Sequence, residues 1–121
     1  MIVAVDFDGI LCENKYPDIG EPNYKMISYV QRMIDDGHDV ILWTSRIDDR
    51  LEEAVEWCKN YGLHFTTINN NVKRNIDQYG TNSRKVFADI YIDDHNIEFV
   101  GEKSSGFAWV VRYMKEVFNY D

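Results

Sequence analysis

Two pairs of aspartates end apolar runs in this chain. Asp6 and Asp8 close the stretch IVAVDFDG, and Asp93 and Asp94 close VFADIYIDD. Carboxylates this close repel and raise one another's pKa. A bound cation, a shared proton or a task in catalysis would offset that cost. The first pair follows Ile2, Val3 and Val5, β-branched residues in the pattern of a strand buried on both faces.

The elements that must position these groups read as follows. Strands are expected at 2–7, 40–44, 63–68 and 86–94, with IEFV at 97–100 as a short fifth. Residues 8–22 form a polar loop containing Gly9, Pro17, Gly20 and Pro22. The first helix is capped by Asn23, repeats Met26, Ile27, Val30, Met33 and Ile34 at helical spacing, and ends at Gly37. A second helix at 48–61 carries Leu51, Ala54, Val55 and Cys58 on one face and stops at Gly62. A helical turn at 72–79 ends at Gly80. The last helix, about 105–118, places Phe107, Val110, Val111, Met114, Val117 and Phe118 on one stripe. Strands alternating with helices predict a parallel sheet wrapped on both faces, a three-layer Rossmann-like α/β domain with right-handed crossovers. Ligands in such sheets bind at the carboxyl ends of the strands. Asp6 and Asp8, Thr44 and Arg46, and Asp93 and Asp94 all fall at such ends, so three strands deliver polar groups to one edge.

Bulk properties narrow the classes. The 121 residues fit one domain, residues 1–121, and 45% apolar content suffices for a core. A net charge of −8 argues against an extended nucleic-acid or anionic-membrane surface. A local patch from Lys15, Arg46, Lys73, Arg74 and Arg84 remains compatible with it. No apolar run approaches the ~20 residues that span a bilayer. The amino terminus enters a strand without the charged region of a signal peptide. Cys12 and Cys58 lack a metal or redox spacing. A cytoplasmic protein with reduced thiols is expected.

DFDGIL, VILWTSR and YIDD, in that order and each after an apolar strand, resemble motifs one, two and four of the haloacid dehalogenase superfamily. Most of its members are magnesium-dependent phosphohydrolases, and the resemblance runs the length of the chain. It implies that Asp6 is a nucleophile that forms an aspartyl phosphate, dividing one hard step into two. It implies that Asp8 is the general acid and base. Mg²⁺ would be held by Asp6, the backbone carbonyl of Asp8 and Asp93, with Asp94 orienting its waters; hard oxygen donors suit this ion. Thr44 matches the hydroxyl that donates to a phosphate oxygen, with Ser45 a weaker candidate. Gly9 belongs to the phosphate-binding motif-one loop. Arg46 resembles the arginine of members in which it reaches substrate, as a guanidinium pairs with phosphate in bidentate fashion. The motif-three lysine is Lys85, directly before the fourth strand, or Lys73, at the start of the short helix; Lys85 is the favoured of the two. Ile10 departs from the Thr or Val common after the motif-one glycine, where the family uses mainly backbone groups.

No stretch is long enough for a cap domain, so the chain resembles the capless type, with 12–22 as its only built-in flap. The substrate would be a phosphorylated small molecule or an exposed phosphate on something larger, with a closed homo-oligomer over the site also compatible. Within the enzyme class, polynucleotide-end, phosphoprotein and capsule-sugar phosphatases are alternatives. From another class, a receiver-like signalling module also uses clustered aspartates, Mg²⁺, a hydroxyl and a lysine, but holds its phosphoryl group. There the acidic pair precedes the phosphorylated aspartate on a middle strand; here the DxD comes first. Asn69, Asn70 and Asn71 read mainly as a turn. His95 reads as a loop residue, His38 and His64 as structural, and Trp43, Trp57 and Trp109 as packing groups.

Overall fold

The apolar runs pair in the computed structural model as one parallel sheet. The structure describes residues 1–96 and 107–121, so the strand expected at 97–100 and the first residues of the last helix lie outside it. The elements are β1 (Ile2–Val5), β2 (Cys12–Lys15), β3 (Asp18–Pro22), α1 (Tyr24–Asp35), β4 (Asp39–Leu42), α2 (Asp48–Asn60), β5 (Thr67–Ile68), α3 (Lys73–Tyr79), β6 (Ile90–Ile92) and α4 (Ala108–Phe118). The sheet order is β5-β4-β1-β6, every pair parallel. This is the α/β class expected, with β1 in the interior of the described sheet. Among the described residues no helix is long and apolar enough to cross a membrane.

Side-chain alternation along the strands divides the core. Val3, Val5, Val40, Leu42 and Ile92 meet Met26, Ile27, Val30 and Met33 of α1, Ala54 and Cys58 of α2, and Trp109, Val110 and Met114 of α4. Ile2, Ala4 and Ile41 turn the other way, onto Val72, Val86, Ala88 and the half-buried Trp43 and Tyr91. The layers are therefore unequal. Three helices cover one face, and the segment 72–88 covers the other, its helix α3 contributing no buried residue. α1 begins as expected: Asn23 Oδ1 accepts from the Met26 amide at 3.1 Å, a cap worth about 1 kcal/mol.

Three differences from the sequence reading have physical causes. Residues 12–22 are not an irregular loop but an antiparallel hairpin, β2 on β3, with Asn14 opposite Ile19 and Lys15 opposite Asp18. The expected strands at 63–68 and 86–94 contract to Thr67–Ile68 and Ile90–Ile92. Leu63, Val86 and Ala88 are buried outside the ladder, and packing over a sheet face leaves the same apolar signature as membership in the sheet. On α4, Trp109, Val110 and Met114 are buried while Val111 and Val117 are exposed, so the buried stripe is rotated from the expected one.

Candidate active site

Backbone register sets the edge. Val5 lies opposite both Leu42 and Ile92. Beyond the strands, the Trp43 amide donates to Val5 O at 2.9 Å, the Asp6 amide to Ile92 O at 2.9 Å and the Asn69 amide to Leu42 O at 2.8 Å. Asp6, Asp93, Trp43 and Asn69 thus leave the sheet at one level. They open onto a cavity of about 610 Å³ lined by Asp6, Asp8, Thr44, Ser45, Arg46, Asp93, Asp94 and His95, with Asn14 and Tyr16 from the hairpin and Trp43 from the strand end.

The acidic groups press on one another. Asp6 Oδ1 accepts from the Phe7 amide at 2.8 Å. Burial, a hydrogen bond with Asp94 and the charge of Asp93 together push the Asp6 carboxyl up to about 8. Asp94 is brought in by Gly9. That residue has φ +87, and a Cβ there would stand 2.3 Å from Asp94 Oδ2. A side chain at position 9 would be strained by the backbone and would occupy the place of the carboxylate. Gly9 therefore acts through space it leaves open. Ile10, next in sequence, is fully buried in the core, which accounts for an apolar residue at that position. The His95 amide donates to Asp93 Oδ1 at 2.8 Å, and its imidazole stands 3.7 Å from Asp93 and 3.6 Å from Asp94.

Arg46 joins Asp8 to the hairpin. Its Nε donates to Asp8 Oδ2 and its Nη2 to Asp8 Oδ1, both at 2.8 Å. Nη2 also donates to Asp18 O at 2.8 Å and Nη1 to Pro17 O at 3.2 Å. The side chain is 1% exposed, against 16% for Asp8. The sequence suggested a group extended toward substrate; the bidentate edge of this guanidinium is instead filled by Asp8.

Thr44 is held from both sides: its amide donates to Asn69 Oδ1 at 2.8 Å, and its Oγ1 accepts from the Arg46 amide at 3.2 Å. The hydroxyl proton is left for another acceptor. Ser45 is exposed on the cavity rim. Lys85 is exposed in the segment ahead of β6 and is not on the cavity wall. Lys73 is also exposed and pairs with Asp77 at 2.6 Å. Of the expected site, the structure gathers Asp6, Asp8, Thr44, Ser45, Arg46, Asp93 and Asp94, sets Gly9 behind Asp94, and leaves both lysines outside.

The asparagine run holds two supports that three identical residues in a row do not distinguish. Asn69 (φ +50) fixes Thr44. Asn71, 2% exposed, donates to Asn82 Oδ1 at 3.0 Å and Ser83 O at 2.9 Å, and accepts from the Phe87 amide at 2.7 Å. An asparagine tolerant of a left-handed backbone signals a turn, but the distant partners leave no local trace.

The donor set fits a small hard cation. Among the described residues, Asp93, Asp94 and His95 each present a ligand atom, all within 4.8 Å of one another, and Asp6 is hydrogen-bonded to Asp94. Carboxylate oxygens suit Mg²⁺; burial first, and then the neighbouring Asp94 and Asp93, disfavour the charged form of Asp6, and a cation among these groups would offset the repulsion between them.

No protein-family model matches the chain, and no curated protein matches it. Among solved structures, it is similar to that of a conserved protein coded by a locus of Bacteroides thetaiotaomicron, with a TM-score of 0.78 and 34% identity, over 100% of this chain and 93% of that one. At that identity over the full length, the chain belongs to one family with the conserved Bacteroides thetaiotaomicron protein.

Proposed function

We propose that the protein is a Mg²⁺-dependent phosphatase of the haloacid dehalogenase type, without a cap domain, that hydrolyses a phosphate monoester. The observation that carries this reading is the convergence of Asp6, Asp8, Thr44, Asp93 and Asp94 on one cavity at the carboxyl edge of a parallel sheet. Asp6, Asp93, Asp94 and the Asp8 backbone carbonyl would hold the ion, which when bound neutralises the carboxylates and the incoming phosphate.

The side chains divide the work. Asp6, oriented by the Phe7 amide, attacks phosphorus, and the bond to the leaving oxygen breaks. Asp8 gives that oxygen a proton. Thr44 donates its hydroxyl hydrogen to a phosphoryl oxygen, where negative charge is greatest. In the second step Asp8 takes a proton from water, the water oxygen attacks phosphorus, and inorganic phosphate leaves Asp6 as a free carboxylate. Asp8 on the cavity wall favours turnover over a receiver-like module, which stores the phosphoryl group. The cavity of about 610 Å³ leaves room for a leaving group beside the phosphate.

Phosphate release from 4-nitrophenyl phosphate, with and without Mg²⁺, for the wild type and Asp6→Asn tests the reading. Metal-dependent release that Asp6→Asn abolishes is expected. Equal release by the two proteins would overturn it.

A further inference from the structure

A substrate arginine keeps its guanidinium edge open, and Arg46 does not. Two parallel N–H groups lie on the two oxygens of Asp8, and further N–H groups lie on the carbonyls of Pro17 and Asp18. The faces are also covered: the guanidinium carbon stands 5.1 Å from the centroid of Phe7 and 5.1 Å from that of Tyr16. At 1% exposure, turning this side chain toward substrate would break its paired bonds to Asp8 and release both hairpin carbonyls to solvent.

The arrangement accomplishes something else. A fork on both oxygens fixes the plane of the Asp8 carboxylate, and each oxygen keeps a second lone pair for a proton. Pro17 lies in the turn between β2 and β3, and Asp18 is the first residue of β3. The same hairpin contributes Asn14 and Tyr16 to the cavity wall. One guanidinium therefore sets the orientation of Asp8 and the seating of the strand pair that walls the site.

We propose that Arg46 is a positioning residue, which aims Asp8 at the leaving-group oxygen and couples that aim to the docking of the 12–22 hairpin, and that it does not bind the phosphate. The proposal rests on the phosphatase reading for the task of Asp8, while the coupling to the hairpin is independent of it.

The experiment compares the wild type, Arg46→Lys, Arg46→Met, Asp8→Asn and Arg46→Met/Asp8→Asn on aryl phosphates from 2,4-dinitrophenyl to phenyl. A good leaving group departs without a proton, whereas phenoxide needs one. General acid catalysis typically contributes 10²–10⁴-fold. The Arg46 variants are expected to lose about 10²-fold in kcat/KM on phenyl phosphate and little in kcat/KM on the dinitrophenyl ester, while kcat, which includes the second step that also uses Asp8, falls on both. The double variant is expected to be no worse than Asp8→Asn. Hydrogen exchange of the 12–22 amides is expected to quicken in Arg46→Lys, which keeps the charge but not the fork. That variant also covers the case in which Arg46→Met does not fold. An equal loss of kcat/KM on every ester would make Arg46 a phosphate ligand and overturn the proposal. Unchanged exchange in Arg46→Lys would overturn the coupling by itself. A wild type inactive on every ester would overturn the phosphatase reading and the task assigned to Asp8, without touching the exchange result.

Discussion

Gly9 and Asp94 occupy one space: the position of a Cβ on Gly9 lies 2.3 Å from Asp94 Oδ2. The glycine carries φ +87, where an L side chain costs roughly 1–2 kcal/mol. Gly9→Ala must therefore strain the backbone and displace the carboxylate that is hydrogen-bonded to Asp6. Mg²⁺-dependent phosphate release is expected to fall at least tenfold, with a weaker apparent affinity for Mg²⁺ and a stability loss of about 1–2 kcal/mol. Kinetics across a Mg²⁺ titration, together with urea unfolding, check both effects. Unchanged Mg²⁺ dependence would show that Asp94 plays no part in holding the ion.

Asp6 gives a pH-dependent stability whose sign is fixed by the direction of its shift. Burial first, then Asp94 and Asp93, raise its carboxyl from 3.8 to about 8. Between those values the folded state holds a proton that the unfolded state releases. Metal-free stability must therefore fall as pH rises from about 4 to about 8 and level off above that. Asp6→Asn removes the titrating group, so its unfolding midpoint is expected to decline less over this range and to exceed that of the wild type at pH 9. Urea midpoints in EDTA measure this. Parallel pH profiles for the two proteins would refute it.

The thiols are expected to be silent in the native protein. Cys12 and Cys58 are free and buried. Burial, ahead of neighbouring charges, pushes Cys12 up to about 11 and Cys58 up to about 12. The thiolate is the reactive form, and near pH 8 it is a fraction of order 10⁻³ or less of either cysteine at such values. An aromatic disulfide reagent should react with neither cysteine until denaturant is added, and then with both. Rapid reaction of one thiol in the native state would place it outside the core.

The sequence disclosed what depends on local pattern. Apolar runs marked β1, β4 and β6, helical spacing marked α1 and α2, and the position of Asp6, Thr44 and Asp93 just beyond strands placed them on one edge. What depends on distant partners was hidden. Cys12–Lys15 and Asp18–Pro22 carry only one fully buried residue, Cys12, so neither alternates as a half-buried strand does, and the hairpin read as loop. Arg46 looks the same in a sequence whether it reaches for phosphate or for Asp8. Asn71 offers still less, because an asparagine that bridges segments and one that makes a turn share the same letter.

Asn71 gives the last prediction. Its side chain bonds Asn82, Ser83 and the Phe87 amide, tying the residue that follows Asn69 and Asn70 to the strap that covers the second sheet face. That strap delivers Val86 and Ala88 to the smaller cluster and leads into β6, whose end carries Asp93 and Asp94. Asn71→Ala would leave the Phe87 amide, Ser83 carbonyl and Asn82 side chain to find other partners beside a buried site. Asn82, Ser83 and Phe87 are exposed, so water takes over part of these bonds, and a loss of about 1–2 kcal/mol is expected from the set. Asn71→Asp retains an acceptor for the Phe87 amide but loses both donor hydrogens, so it should be destabilising as well. The loss should precede any change in chemistry: at a temperature where the variant is folded, its Mg²⁺-dependent turnover should stay near that of the wild type. Urea unfolding and turnover, measured on the same preparation, separate the two. A stable variant with lost turnover would place Asn71 in the site itself, rather than beneath the segment that supports it.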